Sequence, residues 1–322
     1  MKKVYVTRPI MSAGIDLLKE HFEVTVQPEE RDLTAEEFLK EIQGYDSVLS
    51  MLTNKIDEET FKAAPSVKVF ANYAVGYNNI DVDMASEYGV AITNTPNALT
   101  MATAELAWAL LFAASRHVVP SDKMTREGKF TGWDPMGFLG QPVSGKKLGI
   151  IGAGRIGSAF TRMAKGFNME IYYNSPSRKR DFEKETGAKY EDLFDMLPKV
   201  DYLAIHCPYN LSTHHLIGAR ELALMKPSAI LVNTARGAII DEEALYNALK
   251  DKKIYSAGLD VYENEPAIYP GLTELENVVT CSHIGSATYE SREAMSLLAA
   301  QSIVDILINN KIPENCLNKE VF

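Results

Sequence analysis

Apolar stretches of strand length alternate with longer amphipathic stretches along nearly the whole chain. In the first third of the chain, the strand-like runs are Val4–Thr7, Val24–Val26, Val48–Leu52 and Val67–Tyr73. The helical patterns between them are Ile10–Lys19, Ala35–Glu41 and Asp57–Ala63. Because such alternation is typical of parallel strands joined by right-handed helical crossovers, we predict an α/β fold with parallel sheets.

The pattern changes at Thr100 and then resumes. Thr100–His117 is a long, alanine-rich apolar stretch that suits a helix buried between layers, and a Gly- and Pro-rich loop follows at Gly128–Gly145. The apolar strands of the second series are Lys147–Ile151, Met169–Asn174, Tyr202–His206, Ile230–Asn233, Tyr255–Val261 and Val278–Cys281. The last helical pattern, Tyr289–Asn309, is long enough to return to the first half of the chain.

This order predicts one domain inserted into another. We expect residues 1–99 and 289–322 to form one doubly wound domain, and residues 100–288 to form the inserted one. The sequence has no internal repeat, low-complexity tract or flexible linker.

The composition narrows the class of protein. The chain has 322 residues, of which 46% are hydrophobic and 24% charged, as in folded soluble proteins. A formal charge of −10 argues against binding to nucleic acid or to anionic membranes, and no apolar run is long enough to span a bilayer. The three cysteines are far apart and form no CxxC pair, so we predict neither disulfides nor a metal site. We expect a cytoplasmic protein.

A glycine-rich segment follows the first strand of the second series. Gly152, Gly154 and Gly157 form a GxGxxG pattern between the apolar strand and a helical stretch that runs to Ala164. The first glycine permits a tight turn, the second lets a pyrophosphate approach the backbone, and the third allows close helix packing. The strand, loop and helix come in the order that dinucleotide binding requires.

The next strand bears on the choice of dinucleotide. It ends at Asn174, where an Asp or Glu would bind the two ribose hydroxyls of NAD, and the segment 175–180 then carries two hydroxyls and three cations. A neutral residue followed by cations suits a 2′-phosphate. We therefore favour NADP(H), with NAD(H) as the alternative.

Three later strands end in residues suited to one reaction. Arg236 follows one strand, Glu265 lies shortly after the next, and His283 follows the third. Because the carboxyl ends of parallel strands meet at one edge of the sheet, we expect these side chains to share a site. An arginine can hold a carboxylate, and a histidine supported by a carboxylate can protonate an alkoxide as hydride arrives. Reduction of a 2-oxo acid needs these groups.

With these segments in this order, the sequence resembles the D-isomer-specific 2-hydroxyacid dehydrogenase family over essentially its whole length. Within the family it is most similar to glyoxylate/hydroxypyruvate reductases, through Asn72–Asp81 (NYAVGYNNID) and the loop Trp133–Gly140 (WDPMGFLG). The resemblance implies a flavodoxin-like substrate-binding domain at 1–99 and 289–322 and a dinucleotide-binding Rossmann domain at 100–288. It also implies that NAD(P)H reduces a small 2-oxo acid to the D-2-hydroxy acid.

The resemblance also implies roles for individual residues. Arg236 would bind the substrate, His283 would act as acid and base, and Glu265 would support His283. Asp260 would face the nicotinamide, and Trp133 would close over the substrate, across the interface of a homodimer formed through the cofactor domain. The residues expected to bind substrate are Leu52, Ala74, Val75, Gly76 and Trp133. Those expected to contact the cofactor are Thr103, Gly152, Gly154, Arg155, Ile156, Gly157, Asn174, Ser175, Arg178, Cys207, Pro208, Thr213, Thr234, Ala235, Arg236, Asp260, His283 and Gly285.

One residue departs from the family pattern. The family usually has proline before the catalytic histidine, and this chain has Ser282, which predicts a looser loop around His283. The remaining histidines are interpreted as structural: His21, His117, His206, His214 and His215.

The substrate and the function class have alternatives. Phosphoglycerate dehydrogenases of the family place an arginine near the segment that corresponds to Asn72 and Tyr73, which here is neutral. Since a buried phosphate without a cation is costly, we favour glyoxylate or hydroxypyruvate over 3-phosphoglycerate, with 2-ketogluconate as a larger alternative. A different class is an NAD(H)-sensing binding protein like the transcriptional corepressors that share this fold.

Overall fold

The computed structural model describes all residues from 1 to 322 and has the predicted α/β fold with parallel sheets. The chain divides into two compact units. The first contains Met1–Leu99 and Ser286–Phe322, and the second contains Thr100–Gly285.

The sheet of the first unit has five parallel strands in the order β2-β1-β3-β4-β5. The strands are β1 (Lys3–Val6), β2 (Glu23–Val26), β3 (Ser47–Ser50), β4 (Val69–Asn72) and β5 (Ala91–Thr93). The helices are α1 (Ser12–His21), α2 (Ala35–Glu41), α3 (Glu58–Ala63), α4 (Val82–Glu87) and, from the C-terminal part, the helix Tyr289–Leu307. This strand order is that of a flavodoxin-like sheet.

The two chain ends build the first unit together. The helix Tyr289–Leu307 packs on α1, and a Cβ on Gly14 would collide with the carbonyl of Ser296, so the close approach needs glycine. At the edge of the sheet, Asn318 accepts from the backbone N–H of Ile92 at 2.8 Å and donates to the carbonyl of Val90 at 2.9 Å. The last residues of the chain therefore cover the edge strand β5.

The sheet of the second unit has seven parallel strands in the order β12-β11-β10-β9-β6-β7-β8. The strands are β6 (Lys147–Ile151), β7 (Glu170–Asn174), β8 (Lys189–Tyr190), β9 (Tyr202–Ile205), β10 (Ile230–Asn233), β11 (Ser256–Leu259) and β12 (Val278–Thr280). The helices of this unit are α5 (Thr100–Ser115), α6 (Val118–Arg126), α7 (Arg155–Ala164), α8 (Arg180–Thr186), α9 (Leu193–Met196), α10 (Ala219–Leu224) and α11 (Glu242–Lys250). The C-terminal helix of the first unit, Tyr289–Leu307, is α12.

The chain order reverses between β6 and the central strand, β9. This is the Rossmann order with one added strand, and its reversal point is where such sheets bind ligands. The strand residues are almost all buried, as expected for a sheet covered on both faces, so they read as continuous apolar runs in the sequence. Helix α5 packs so closely on β11 that a Cβ on Gly258 would lie 2.9 Å from that of Leu110.

Some elements differ from the sequence prediction. The helix predicted over Thr100–His117 ends at Ser115, because His117 takes a left-handed conformation (φ 52°), and α6 begins at Val118. The short strand β5 and helix α4 were not predicted. None of the helices combines the length and the apolar composition that a membrane span requires.

Candidate active site

The turn after β6 has the geometry that a pyrophosphate requires. Gly152 has φ 95°, in the left-handed region, and a Cβ there would lie 2.5 Å from the backbone nitrogen of Cys207. A Cβ on Gly157 would collide with the carbonyl oxygen of Gly152, whereas one on Gly154 would meet nothing within 4 Å. Two glycines therefore allow close packing of the protein, and the third faces open space that a ligand can enter.

Helix α7 begins at this turn. Its first backbone hydrogen bond runs from the N–H of Ser158 to the carbonyl of Gly154 at 2.8 Å, so the N–H groups of Arg155 and Ile156 have no acceptor in the helix. The positive end of the helix dipole lies at the same place. The turn and the helix together fit the diphosphate of a dinucleotide.

The end of β7 carries no carboxylate. Asn174 donates from its side-chain amide to the carbonyl of Glu191 at 2.9 Å, and the hydroxyl of the buried Ser175 donates within its own turn. Arg178 makes two hydrogen bonds to Glu183, at 2.7 and 2.9 Å. Glu183 was not foreseen as a partner, because Arg178 precedes helix α8 and a separation of five residues is not the spacing of a helical pair. Arg178 must share or leave this carboxylate to bind a phosphate.

The segment after β9 lies against the glycine turn, and its own hydrogen bonds hold its shape. Cys207 is buried, and burial raises the pKa of its thiol to about 11, so the thiol is uncharged near neutral pH. Pro208 is exposed, and its carbonyl accepts from the hydroxyl of Thr213 at 2.9 Å. The same hydroxyl accepts from the N–H of Asn210. The side chain of Thr213 thus shapes this turn.

The loop after β10 presents Arg236. The side chain of Asn233 fixes the loop, because its amide donates to the carbonyl of Arg236 and its oxygen accepts from the N–H of Ala235, at 2.8 and 2.9 Å. The hydroxyl of Thr234 is buried without a partner in the protein, which suits contact with a ligand. Burial lowers the pKa of the Arg236 guanidinium, and the nearby carboxylate of Glu265 opposes this shift.

His283 and Glu265 form a hydrogen-bonded pair. Nδ1 of His283 lies 2.8 Å from Oε2 of Glu265, and the other oxygen of this carboxylate accepts from the N–H of Tyr262 at 2.9 Å. Burial raises the pKa of Glu265, but its contacts with His283 and Tyr262 and the charge of Arg236 outweigh burial and hold the pKa below the usual value. Glu265 is therefore charged near neutral pH. With Nδ1 facing this carboxylate, Nε2 is the nitrogen directed away from it.

Asp260 fixes the loop that carries His283. The N–H of His283 donates to the carbonyl of Asp260 at 2.9 Å, and the N–H groups of Ile284 and Gly285 each donate to a different carboxylate oxygen at 2.8 Å. His283 has φ 57°, a conformation that a non-glycine residue keeps only when its surroundings impose it. This anchoring works against the looser loop that Ser282 predicted.

Asp260 is one of a group of buried residues predicted to contact the cofactor. Burial raises the pKa of its carboxyl, and the hydrogen bonds from the loop oppose that shift. The hydroxyl of Thr103 donates to the carbonyl of Gly285 at 3.2 Å, and a Cβ on Gly285 would lie 3.1 Å from Asp260. The second unit thus brings Thr103, Asp260 and Gly285 into contact next to His283.

In the first unit, the loop after β4 exposes backbone donors. The carbonyls of Val75 and Gly76 accept from the side-chain amides of Asn94 and Asn72, at 2.8 and 3.0 Å. The N–H groups of Val75 and Gly76 have no acceptor within the protein. Ala74 differs from the prediction, since its N–H donates to the carbonyl of Asn72 and is not free for a substrate. Asn72 and Asn94 were missed because their role depends on the conformation of the loop, which brings their side-chain amides to the carbonyls of Gly76 and Val75.

The other two residues predicted to bind substrate make no side-chain hydrogen bond in the structure. Leu52 is half-buried in the turn after β3, in the first unit. Trp133, in the second unit, is 87% exposed in the loop between α6 and β6.

The parallel sheet, the glycine turn at its reversal point and the His–Glu pair beside Arg236 define an NAD(P)-dependent oxidoreductase. The family model for the NAD-binding domain of D-isomer specific 2-hydroxyacid dehydrogenases matches residues 108–285. This chain therefore belongs to the D-isomer-specific 2-hydroxyacid dehydrogenases.

Similar proteins span the full length of the chain. The glyoxylate reductases of Thermococcus kodakarensis and Thermococcus gammatolerans are 48% and 47% identical to it, over 99% of this chain and 97% and 96% of their own. Among solved structures, a glyoxylate reductase from Paecilomyes thermophila has a TM-score of 0.88 at 34% identity, covering 99% of both chains. An NADPH-dependent glyoxylate/hydroxypyruvate reductase from Sinorhizobium meliloti, in complex with NADP and malonate, has a TM-score of 0.86 at 30% identity, covering 100% of this chain and 98% of its own.

Proposed function

We propose that this chain reduces glyoxylate or hydroxypyruvate to the D-2-hydroxy acid with NADPH. The observation that carries the proposal is the His283–Glu265 pair beside Arg236 at neighbouring strand ends of the unit that holds the glycine turn. The similarity to glyoxylate reductases supports the choice of substrate. We assign dinucleotide binding to the second unit and substrate binding to the first.

Each residue of the site then has one task. The guanidinium of Arg236 holds the substrate carboxylate and polarises the ketone. A reduced nicotinamide bound at the glycine turn of the second unit would supply the hydride. Nε2 of His283 donates a proton to the carbonyl oxygen, and Glu265 keeps the imidazole oriented through Nδ1. The unpaired N–H groups of Val75 and Gly76 are suited to a carboxylate oxygen.

The substrate has a small, uncharged tail in this proposal. The segment around Val75 contains no Lys or Arg between Asn72 and Asp81, and none is present at Met51–Thr53. A phosphate held by these two segments would find no cation within them, at a cost of several kcal/mol, and the charge near Tyr73 is that of Arg292, on the helix that packs against β4. Glyoxylate and hydroxypyruvate avoid this cost, and 3-phosphoglycerate does not.

We infer NADPH as the preferred cofactor from the end of β7. No carboxylate stands there to repel a 2′-phosphate, and Arg178, Lys179 and Arg180 follow on an exposed turn. Ser175 and Asn174 supply further polar groups. The pairing of Arg178 with Glu183 weakens the preference, because the phosphate competes with that carboxylate.

We also infer a homodimer formed through the second unit. The apolar side chains exposed between α6 and β6 are Phe130, Trp133, Met136, Phe138 and Leu139. So many solvent-exposed apolar groups within one short segment indicate a protein interface. In the dimer, Trp133 would reach the substrate of the other copy. Light scattering should give a dimer, a W133E/M136E variant should be monomeric, and L211E, at an equally exposed leucine elsewhere, should stay dimeric.

The three cysteines are unpaired, and we infer a reducing compartment, the cytoplasm.

The activity is tested by following the absorbance of the reduced nicotinamide with NADPH or NADH against glyoxylate, hydroxypyruvate, 2-ketogluconate and 3-phosphoglycerate. We expect the highest kcat/KM with NADPH and one of the first two acids. Turnover confined to 2-ketogluconate or 3-phosphoglycerate would reassign the substrate. Binding of NAD(H) without turnover of any acid would favour a sensing protein over an enzyme.

A further inference from the structure

Two adjacent histidines and a glutamate that lies far from them in sequence come together on the surface of the second unit. One ligand atom from each of His214, His215 and Glu263 lies within 4.8 Å of the other two. The proposed reaction uses none of these side chains. The sequence alone left both histidines as structural residues, because Glu263 lies 48 residues beyond His215.

The three side chains are already in contact with one another. Nε2 of His215 is 2.7 Å from Oε1 of Glu263, and the imidazole rings of His214 and His215 stack with centroids 4.0 Å apart. Nδ1 of His214 is 3.3 Å from the hydroxyl of Tyr209. This contact orients the ring and leaves Nε2 as its ligand atom, as outer partners of metal-bound histidines do.

The backbone holds the histidines in place. The N–H of His215 donates to the carbonyl of Ala238 at 2.9 Å, and the N–H of His214 donates to that of Asn210 at 3.0 Å. The turn that contains Asn210 is closed further by Thr213, so the loop has little freedom to rearrange.

Glu263 is fixed from the other side. Its N–H donates to a carboxylate oxygen of Glu242 at 2.8 Å, and the second oxygen of Glu242 accepts from the N–H of Tyr269 at 3.2 Å. Glu242 is buried, and burial raises the pKa of its carboxyl while these two bonds oppose that shift. The ligand-bearing segments therefore need only small side-chain movements to bind an ion.

We propose that His214, His215 and Glu263 form a binding site for a divalent transition-metal ion of the zinc class. Two imidazole nitrogens and a carboxylate oxygen suit Zn²⁺, whose bonds to such atoms are about 2.0 to 2.2 Å long, and leave a fourth position for water. Mg²⁺ and Ca²⁺ require mostly oxygen ligands and do not fit. On binding, the ion takes the place of the direct hydrogen bond between His215 and Glu263.

The ion would connect two segments that the His215–Glu263 contact already brings together. One is the turn from Tyr209 to His215, and the other is the segment that carries Glu263 and, two residues on, Glu265. Because the ion binds the folded arrangement, it stabilises the fold. The site is independent of the proposed reduction, and its failure would leave that proposal unchanged.

The test is a titration of metal-free protein, with its purification tag removed, by Zn²⁺ in a calorimeter. We expect one ion per chain with a dissociation constant in the micromolar range, and a rise of about 5 °C in the thermal midpoint at saturation. H214Q and E263Q should each weaken binding at least tenfold and abolish the thermal shift. Mg²⁺ should give no signal, and H21Q, at a histidine outside the cluster, should bind as the wild type does.

A second histidine–carboxylate pair could take up zinc, and the titration separates it. If H283A removes the binding that H214Q and E263Q retain, the ion belongs to His283 and Glu265 and the proposal is overturned. Absence of zinc binding by the wild type overturns it as well. Because H214Q alters a surface ring whose hydrogen bond is to Tyr209, the fold should survive, and E263Q provides an independent second variant.

Discussion

Nδ1 of His283 lies 2.8 Å from a carboxylate oxygen of Glu265, and that carboxylate is held charged by its surroundings. The pair fixes which imidazole nitrogen points towards the substrate. It also supplies a counter-charge at the moment when the ring is protonated. An acid that must be charged before the reaction and neutral after it needs such a partner.

Removal of the imidazole should stop proton transfer and spare cofactor binding. We expect H283A to lower kcat with glyoxylate by about 10² to 10⁴, the usual contribution of a positioned acid. The dissociation constant for NADPH, measured by fluorescence titration, should change little. H21A serves as the control, and an H283A enzyme that keeps its turnover would contradict the assigned role.

Asp260 should act on turnover through the position of His283. In D260N, the side-chain NH₂ group faces one of the N–H groups of Ile284 and Gly285, so one hydrogen bond is lost and two donors oppose each other. We expect a loss of about 2 kcal/mol in the free energy of unfolding and at least a tenfold fall in kcat.

Asp201 provides a matched control for this variant. Its carboxylate also accepts from a backbone N–H, that of Lys147, and pairs with Lys226. Asp201 lies at the amino end of the strands of this sheet, whereas Asp260 lies at their carboxyl end. D201N should therefore lose comparable stability and keep its kcat. If the two variants lose kcat equally, the effect of D260N is general destabilisation and Asp260 does not position His283.

A charge at the end of β7 should change the cofactor preference. In N174D, a carboxylate repels a 2′-phosphate and can accept from the ribose hydroxyls of NADH. The ratio of kcat/KM for NADPH to that for NADH should fall about tenfold or more, which corresponds to about 1.4 kcal/mol. N174A, which also loses the bond to Glu191 but gains no charge, should keep the wild-type preference. A wild-type enzyme that already prefers NADH would contradict the inference.

His206 should make the fold sensitive to acid. Both ring nitrogens are buried without partners, and burial lowers the pKa of the imidazole to about 3. In the unfolded chain the pKa is about 6.5. Between these two pKa values the unfolded state binds a proton that the folded state does not bind. Stability is therefore lost as the pH falls below about 6.5, by about 2 kcal/mol at pH 5.

Replacement by an apolar side chain should remove that loss. H206L should be at least as stable as the wild type near neutral pH, since no buried polar group is left unpaired, and its unfolding free energy should fall less on acidification. Chemical denaturation at the two pH values measures the difference, and H21L is the control. Equal losses in H206L and the wild type would show that another group is responsible.

The sequence predicted the fold class well because buried parallel strands read as apolar runs and glycine marks the turn. It did not predict the break at His117, because the left-handed conformation there depends on tertiary contacts, among them the bond of His117 to Tyr255. The short strand β5 was missed because the residues that pair with it come from β4 and from Cys316, at the end of the chain.

The residue types of the candidate site could be predicted, but the hydrogen bonds that hold these residues in place could not. Arg236, Glu265 and His283 could be selected because strand ends of a parallel sheet converge. The hydrogen bonds from the His283 loop to Asp260, and the pairing of Arg178 with Glu183, depend on side-chain positions that no spacing rule supplies. The first set of contacts makes the His283 loop firmer than Ser282 predicted, and the second weakens the predicted preference for NADPH.

The first unit is built from both ends of the chain, and this dictates an order of assembly during synthesis. The second unit, Thr100–Gly285, is complete in the emerging chain before α12 and Asn318 have been made. Helix α1 and strand β5 keep uncovered apolar surface until α12 and Asn318 have been synthesised. A chain that ended before Asn318 would therefore have a complete second unit and an incomplete first unit.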